Sequence, residues 1–265
     1  MKNALLWRIT AAEGASAPVS YLFGTMHVRD LRAFGQMETV ERCLAECAVF
    51  ATEFDFSDLD QTALAAALQM PEGLTLDVLL GRNAWKRLLH IAAKHLMVEG
   101  ASLRFAHPMR VSAMLSAGLM ETEMAYSLDE TLWNSAKHLG LETTGVETFE
   151  EQIRILHSIT LAEHVENLRA FLKNQKTHKR RTQKMMEWYR EENLQNLYRS
   201  AKKETRGLRA RLLYRRNEIM TARFAEIARD QSLFCAVGAG HLAGAKGMLR
   251  GLKQLGFKAQ PVREF

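Results

Sequence analysis

The β-forming runs of this chain lie mainly at its two ends, and that distribution constrains the fold more than any other feature. ALLWRIT (4–10), VSYLFGT (19–25) and AVFATEFDF (48–56) are rich in branched and aromatic residues near the N-terminus. SLFCAVG (232–238) and FKAQPVREF (257–265) close the chain, and LETTGVE (141–147) is an isolated run between the two groups. Strands so far apart in sequence share a sheet only when both ends of the chain come together. The predicted fold is therefore α/β, with a mixed central sheet formed from the N- and C-terminal segments. A mostly helical insertion at about 57–230 lies within a single domain spanning 1–265.

The helical readings rest on period and punctuation. Met37, Val40, Leu44 and Cys47 fall on one stripe of a helix over 36–47. The stretch 57–119 is helical, with breaks at Pro71-Glu72-Gly73 and His107-Pro108. A helix over 128–139 closes at Gly140, and Thr148 with Glu151 fits a capping box for the next one. Residues 150–229 contain no proline and read as a long helical stretch, and a last helix covers about 246–255. AAEGASAP (11–18) reads as the loose loop of an N-terminal hairpin.

Two of the apolar runs end alike. SYLFGTMHV meets Gly24 and then His27, and LFCAVGAGHL meets Gly238 and then His241. A glycine at a strand end permits a tight turn and close backbone approach. Two such strand–GxxH–helix units on neighbouring strands would bring two imidazoles to the edge where open α/β sheets bind ligands. Imidazole is a good ligand for first-row metals, and the strand end ATEFD offers Glu53 as a third ligand. Asp55 shares the side-chain parity of Glu53 along that strand and is the substitute. Three protein ligands, His27, His241 and Glu53, would leave a position for water acidified by the metal. Spacing alone leaves the alternative of two hydrogen-bonded structural histidines.

Composition excludes some classes. No apolar run approaches the ~18 residues a membrane helix needs. MKNALLW is cut by Arg8, short of the roughly 7–15 apolar residues of a secretion signal. The chain therefore reads as cytoplasmic, or as extracytoplasmic if a signal has been removed. Three cysteines form no disulfide framework; Cys43 and Cys47, one turn apart, read as buried small residues before they read as metal ligands. Net charge is +6, with much of the excess between Lys173 and Arg216. That stretch is either a solvated helical pair whose acids answer its cations or a surface for an anionic partner. No specific nucleic-acid module is visible, and the long helices could support a homo-oligomer.

The motifs YLFGTMHV, ATEFD, LDETLWNSAKHLGLETTGVETFEEQ, YRRNEIMTARFAEIA and AVGAGHL occur in this order over nearly the whole chain. Together they resemble the TraB/GumN (TraB/PrgY/TIKI) family. The resemblance implies an α/β core whose paired GxxH motifs form a metal-dependent active site, with manganese or cobalt as the cofactor; zinc also suits these donors. It implies His27 and His241 as the site histidines and Glu53 as the acidic residue. It further implies roles for Glu147, Gln152, Arg216 and Asn217, and relatives often carry an aspartate at the place of Asp129. From the residues alone, Glu147 could instead cap the helix after it, and Arg216 could be a solvated helix residue. Arg29, two past His27, departs from the family pattern. The function implied is a metal-dependent hydrolase, a peptidase acting on a peptide or protein. The alternative is a non-catalytic binding protein of the same fold that holds an anionic partner on its basic helices.

Overall fold

The computed structural model describes residues 3–11, 18–96, 98–120, 123–205 and 207–262. The chain forms two compact units. Met1–Asp58, Thr122–Gln152 and Lys184–Phe265 make the first; Leu59–Glu121 and Ile153–Gln183 make the second. The helical stretch expected at about 57–230 thus divides between them, because the chain returns to the sheet unit at residue 122 and again at 184.

Among the described residues the first unit carries six strands: β1 (Leu6–Ala11), β2 (Ser20–Thr25), β3 (Val49–Thr52), β4 (Glu142–Gly145), β5 (Leu233–Gly238) and β6 (Phe257–Pro261). They form one mixed sheet in the order β4-β3-β5-β2-β1-β6. The α/β sheet built from both chain ends is therefore as expected. β4, β3, β5 and β2 run parallel, while β1 pairs antiparallel with β2 and β6. The N-terminal hairpin exists, with Leu6 opposite Phe23. Most of its loop, 12–17, lies outside the described residues, as do 1–2 and the last three positions, 263–265, of the expected C-terminal strand.

The three inner parallel strands are buried on both faces, which accounts for their nearly unbroken apolar sequences. Phe234 on β5 sits at their centre, its ring 6.2 to 6.3 Å from those of Tyr21, Phe23 and Phe50. In the β2–β5 register Gly24 lies opposite Val237 and Thr25 opposite Gly238. Both GxxH segments therefore leave the same edge of the sheet side by side.

Three local features set the ground for the site. β3 ends at Thr52, earlier than its sequence suggests, and Phe56–Asp58 is a short 3-10 turn. The strand alternation that paired Asp55 with Glu53 therefore stops before either residue. Asp55 instead accepts hydrogen bonds from Ser57 and from the Trp133 indole. The capping box expected at Thr148 and Glu151 is present, so Thr148 caps the Phe149–His157 helix and Glu147 is left for another task. Last, a π-helical turn over Ala210–Tyr214 precedes the Arg215–Asp230 helix. Such turns re-aim the residues that follow them. Cys43, Cys47 and Cys235 are free and buried, and burial pushes the Cys47 thiol up to about 12. The packing reading of these cysteines holds.

The second unit closes around its own apolar core, in which Leu76, Leu88, Val111, Leu115 and Leu168 are fully buried. Two buried histidines meet there. His107 and His164 lie edge to face with ring centroids 5.0 Å apart. His107 also caps the Pro108–Gly118 helix, its Nδ1 accepting from the Met109 N–H at 3.3 Å. Burial, then its neighbour His164, pushes His107 down to about 4, and burial also lowers His164. The folded unit therefore keeps these imidazoles neutral, while the unfolded chain protonates them near 6.5. This contribution to stability is complete above pH 6.5 and declines as pH falls toward 4. Amide protection factors across the Pro108–Gly118 helix, corrected for the intrinsic exchange rate at each pH, should fall in that window. A His107→Asn/His164→Phe double variant, which keeps a capping side chain, should lose that fall; an identical pH response would refute the assignment.

Candidate active site

The two GxxH glycines serve close approach; neither has a positive φ. A Cβ on Gly24 would stand 3.1 Å from the Ala239 backbone and 3.0 Å from the Leu242 side chain. One on Gly238 would stand 3.2 Å from Glu53 Oε1 and 3.6 Å from the His241 ring. The bare glycine lets the Gly238 N–H reach Glu53 Oε1 at 2.9 Å. On the first turn, the Tyr189 hydroxyl donates to the Gly24 carbonyl at 2.8 Å. This buried link was not apparent from the sequence.

Seven of the expected residues enter one network or its margin. Arg216 is the hub. Its Nη2 reaches Glu53 Oε2 and Glu147 Oε2, both at 2.5 Å, and its Nε reaches Glu147 Oε1 at 2.9 Å. Gln152 Nε2 donates to Glu147 Oε2 at 2.9 Å. The Glu147 side chain is completely buried, so the solvated-helix reading of Arg216 and the capping reading of Glu147 both give way to a buried ion pair. The two carboxylates differ despite their shared arginine. Burial raises Glu147, with Arg216 opposing. Burial also raises Glu53, but Arg216, His241 and the Gly238 N–H together outweigh it and hold Glu53 at about 2. Glu53 is thus a fixed anion.

His241 and His27 have different surroundings. His241 is buried, and its Nδ1 faces Asn217 Oδ1 at 2.6 Å. Asn217 Nδ2 donates to the Lys246 carbonyl at 2.6 Å, and a carbonyl only accepts. The amide orientation is fixed by that contact, so its oxygen accepts the Nδ1 proton and the Nε2 lone pair is left free. Nε2 faces Glu53 Oε1 at 3.7 Å. Burial pushes His241 down to about 4, with Glu53 opposing and Arg216 assisting, so it is neutral at neutral pH. His27, by contrast, has a side chain 73% exposed, with Nδ1 at 3.4 Å from Asp129 Oδ2. Hydrogen bonding to Asp129 raises its pKa. Asp129 is anchored through Oδ1, which accepts from Thr25 Oγ1 at 2.6 Å, while its buried Oδ2 faces the His27 ring. Arg29 is exposed and donates to the Met124 carbonyl at 2.8 Å.

A cavity of ≈140 Å³ joins the two halves, lined by Thr25, His27, Thr52, Glu53, Phe54, Phe56, Asp129 and Gly238. Beside it a free imidazole nitrogen faces the Glu53 carboxylate across 3.7 Å, and Asp129 Oδ2 faces the His27 ring. Two acceptors opposed in this way are chemically suited to a divalent cation. Among the described residues, no three His, Cys, Asp or Glu side chains are grouped so that together they could hold a metal ion.

The fold and site define an α/β protein with twin glycine–histidine turns over an arginine-bridged pair of carboxylates. The chain belongs to the TraB/PrgY/gumN family, whose model matches residues 5–261. It is similar to the zebrafish (Danio rerio) protein named Metalloprotease TIKI2, at 27% identity over 322 aligned positions. That alignment covers 97% of this chain and 61% of the relative, so the chain spans about three fifths of the relative's length. No solved structure matches. Among the described residues no helix is long and apolar enough to cross a membrane.

Proposed function

We propose that the chain is a metal-dependent hydrolase acting on peptide bonds. The observation that carries the reading is the His241–Glu53 pair, in which an unprotonated Nε2 faces an anionic oxygen at 3.7 Å beside a cavity. The family membership and a relative named a metalloprotease support it. His241 and Glu53 would hold the cation, with His27 as the third ligand on the other turn; manganese, cobalt and zinc all suit such donors. A bound divalent cation acidifies water and polarises a carbonyl.

The protein's own groups do the rest. Asn217 keeps the Nδ1 proton of His241 in place, which holds Nε2 as an acceptor. Arg216 keeps Glu53 anionic and, anchored by Glu147 and Gln152, fixes its direction. Arg216, His241 and the Gly238 N–H hold Glu53 low, which suits it to the role of an anionic ligand. Asp129 borders the cavity, and its Oδ2, beside the His27 ring, can also accept a hydrogen bond from a nucleophilic water or a substrate amide.

The test is metal titration after chelation. Wild type should take up close to one equivalent of manganese, cobalt or zinc. His241→Ala should abolish the uptake, and His27→Ala should weaken it. The preferred ion should then support cleavage in a peptide-library screen. Negligible uptake by wild type and variants alike would overturn the metal reading and favour the anion-binding alternative on the basic helices.

A further inference from the structure

Next to Glu53 the chain turns aromatic. Phe54 and Phe56 line the ≈140 Å³ cavity and are half-buried. Their rings meet edge to face at 5.4 Å. Each is supported from behind: Phe54 by Phe149 at 6.1 Å, and Phe56 by Trp133 at 6.0 Å, edge to face. The supports are themselves fixed. The Trp133 indole donates to Asp55 at 3.1 Å, and Lys137 Nζ lies 5.1 Å from its ring centre. Phe149 is buried at the start of its capped helix. The result is a braced aromatic wall with part of each ring still exposed.

Such a wall gains free energy only when something apolar covers it. The size of the cavity limits what can. An engineered apolar cavity of ~150 Å³ holds one benzene molecule, so ≈140 Å³ accommodates one side chain. Charge limits it further. Glu53 and Asp129 border the same space and disfavour an anionic group. The demand of Glu53 for positive charge is met by Arg216, which removes much of its attraction for a cationic group.

We infer that Phe54 and Phe56 form a specificity subsite for one aromatic or large aliphatic side chain of the substrate, beside the bond to be cleaved. The position relative to a scissile bond rests on the proposed hydrolase reading; the side-chain preference does not. A small side chain leaves the rings wet, and an acidic one meets two carboxylates.

The preference can be measured without metal or turnover. Saturation-transfer NMR on metal-free protein would compare N-acetyl amides of phenylalanine, leucine, alanine, lysine and aspartate. The phenylalanine and leucine amides should bind about tenfold or more tightly than the alanine amide, in line with pocket discrimination by apolar side chains. Phe56→Ala and Phe54→Ala should erase the difference, and Phe56→Leu should retain most of the preference for leucine. Equal binding of all five by wild type would overturn the inference, as would tighter binding of the lysine amide. So would an unchanged preference in folded Phe54→Ala and Phe56→Ala proteins. The wild-type comparison stands even if a variant fails to fold. Preference without metal uptake would sink the hydrolase reading and keep the subsite; metal-dependent cleavage with no preference would do the reverse.

Discussion

Replacing Arg216 with methionine is expected to destabilise the first unit by about 3–5 kcal/mol, the range for removing one partner of a buried ion pair. The size comes from what is left behind. The Glu147 side chain is completely buried and makes three contacts with the guanidinium. Only the Gln152 amide would remain to it. Glu53 is partly exposed, keeps the Gly238 N–H and loses less. The pH dependence separates the two carboxylates. Without Arg216 the folded-state pKa of Glu147 rises further, since burial already raises it with the arginine present. A carboxyl raised on folding keeps full stability below its unfolded pKa, about 4.3, and loses it as pH climbs through the folded value. The deficit of Arg216→Met should therefore be small near pH 4 and grow toward pH 8. In the wild type Glu53 acts in the opposite sense. It is held at about 2, so its contribution is complete above about 4.5 and is lost as pH falls through about 2. Urea denaturation at several pH values reads both effects. Adding Glu147→Gln to Arg216→Met should recover much of the loss at pH 8; equal midpoints for wild type and Arg216→Met would remove the hub from the account.

The sheet was legible because its strands obey local rules. Continuous apolar runs mark β2, β3 and β5 as doubly buried, and their placement at the chain ends forces those ends into one sheet. The repeated glycine–histidine spacing was legible for the same reason, since a strand end followed by a turn is a local event. Less legible was whatever depends on distance between elements. Asp55 shared the strand parity of Glu53 and read as its support or substitute, but β3 ends at Thr52 and Asp55 instead accepts from Trp133. The capping box marks Thr148 as the cap, but the partner of Glu147, 69 positions away, leaves no local sign. The π-helical turn before Arg216 left no compositional sign. The two histidines read alike in sequence. Their surroundings are set by residues on other elements, Asp129 on a helix for His27 and Asn217 on another for His241. The division into two units was also hidden, because helix-forming sequence runs through both.

Asn217→Leu is expected to weaken divalent-cation binding by about 10–100-fold, although Asn217 is not among the proposed ligands. Leucine has a similar shape but can neither accept the Nδ1 proton of His241 nor donate to the Lys246 carbonyl. The Nδ1–H of buried His241 is then left without a partner, which costs about 1–3 kcal/mol. The imidazole can escape part of that cost by moving its proton to Nε2, which faces the Glu53 carboxylate across 3.7 Å. That tautomer satisfies the fold and removes the lone pair a cation needs. Stability and cation affinity should therefore respond differently. Nitrogen-15 shifts of His241 distinguish the tautomers directly: wild type should carry the proton on Nδ1, and Asn217→Leu should populate Nε2–H. A variant that folds, keeps the Nδ1–H form and binds manganese, cobalt or zinc as wild type does would refute the relay. If the proton moves and affinity falls while Asn217→Asp, which keeps an acceptor toward Nδ1, retains the wild-type tautomer, then Asn217 acts on the site by holding one proton.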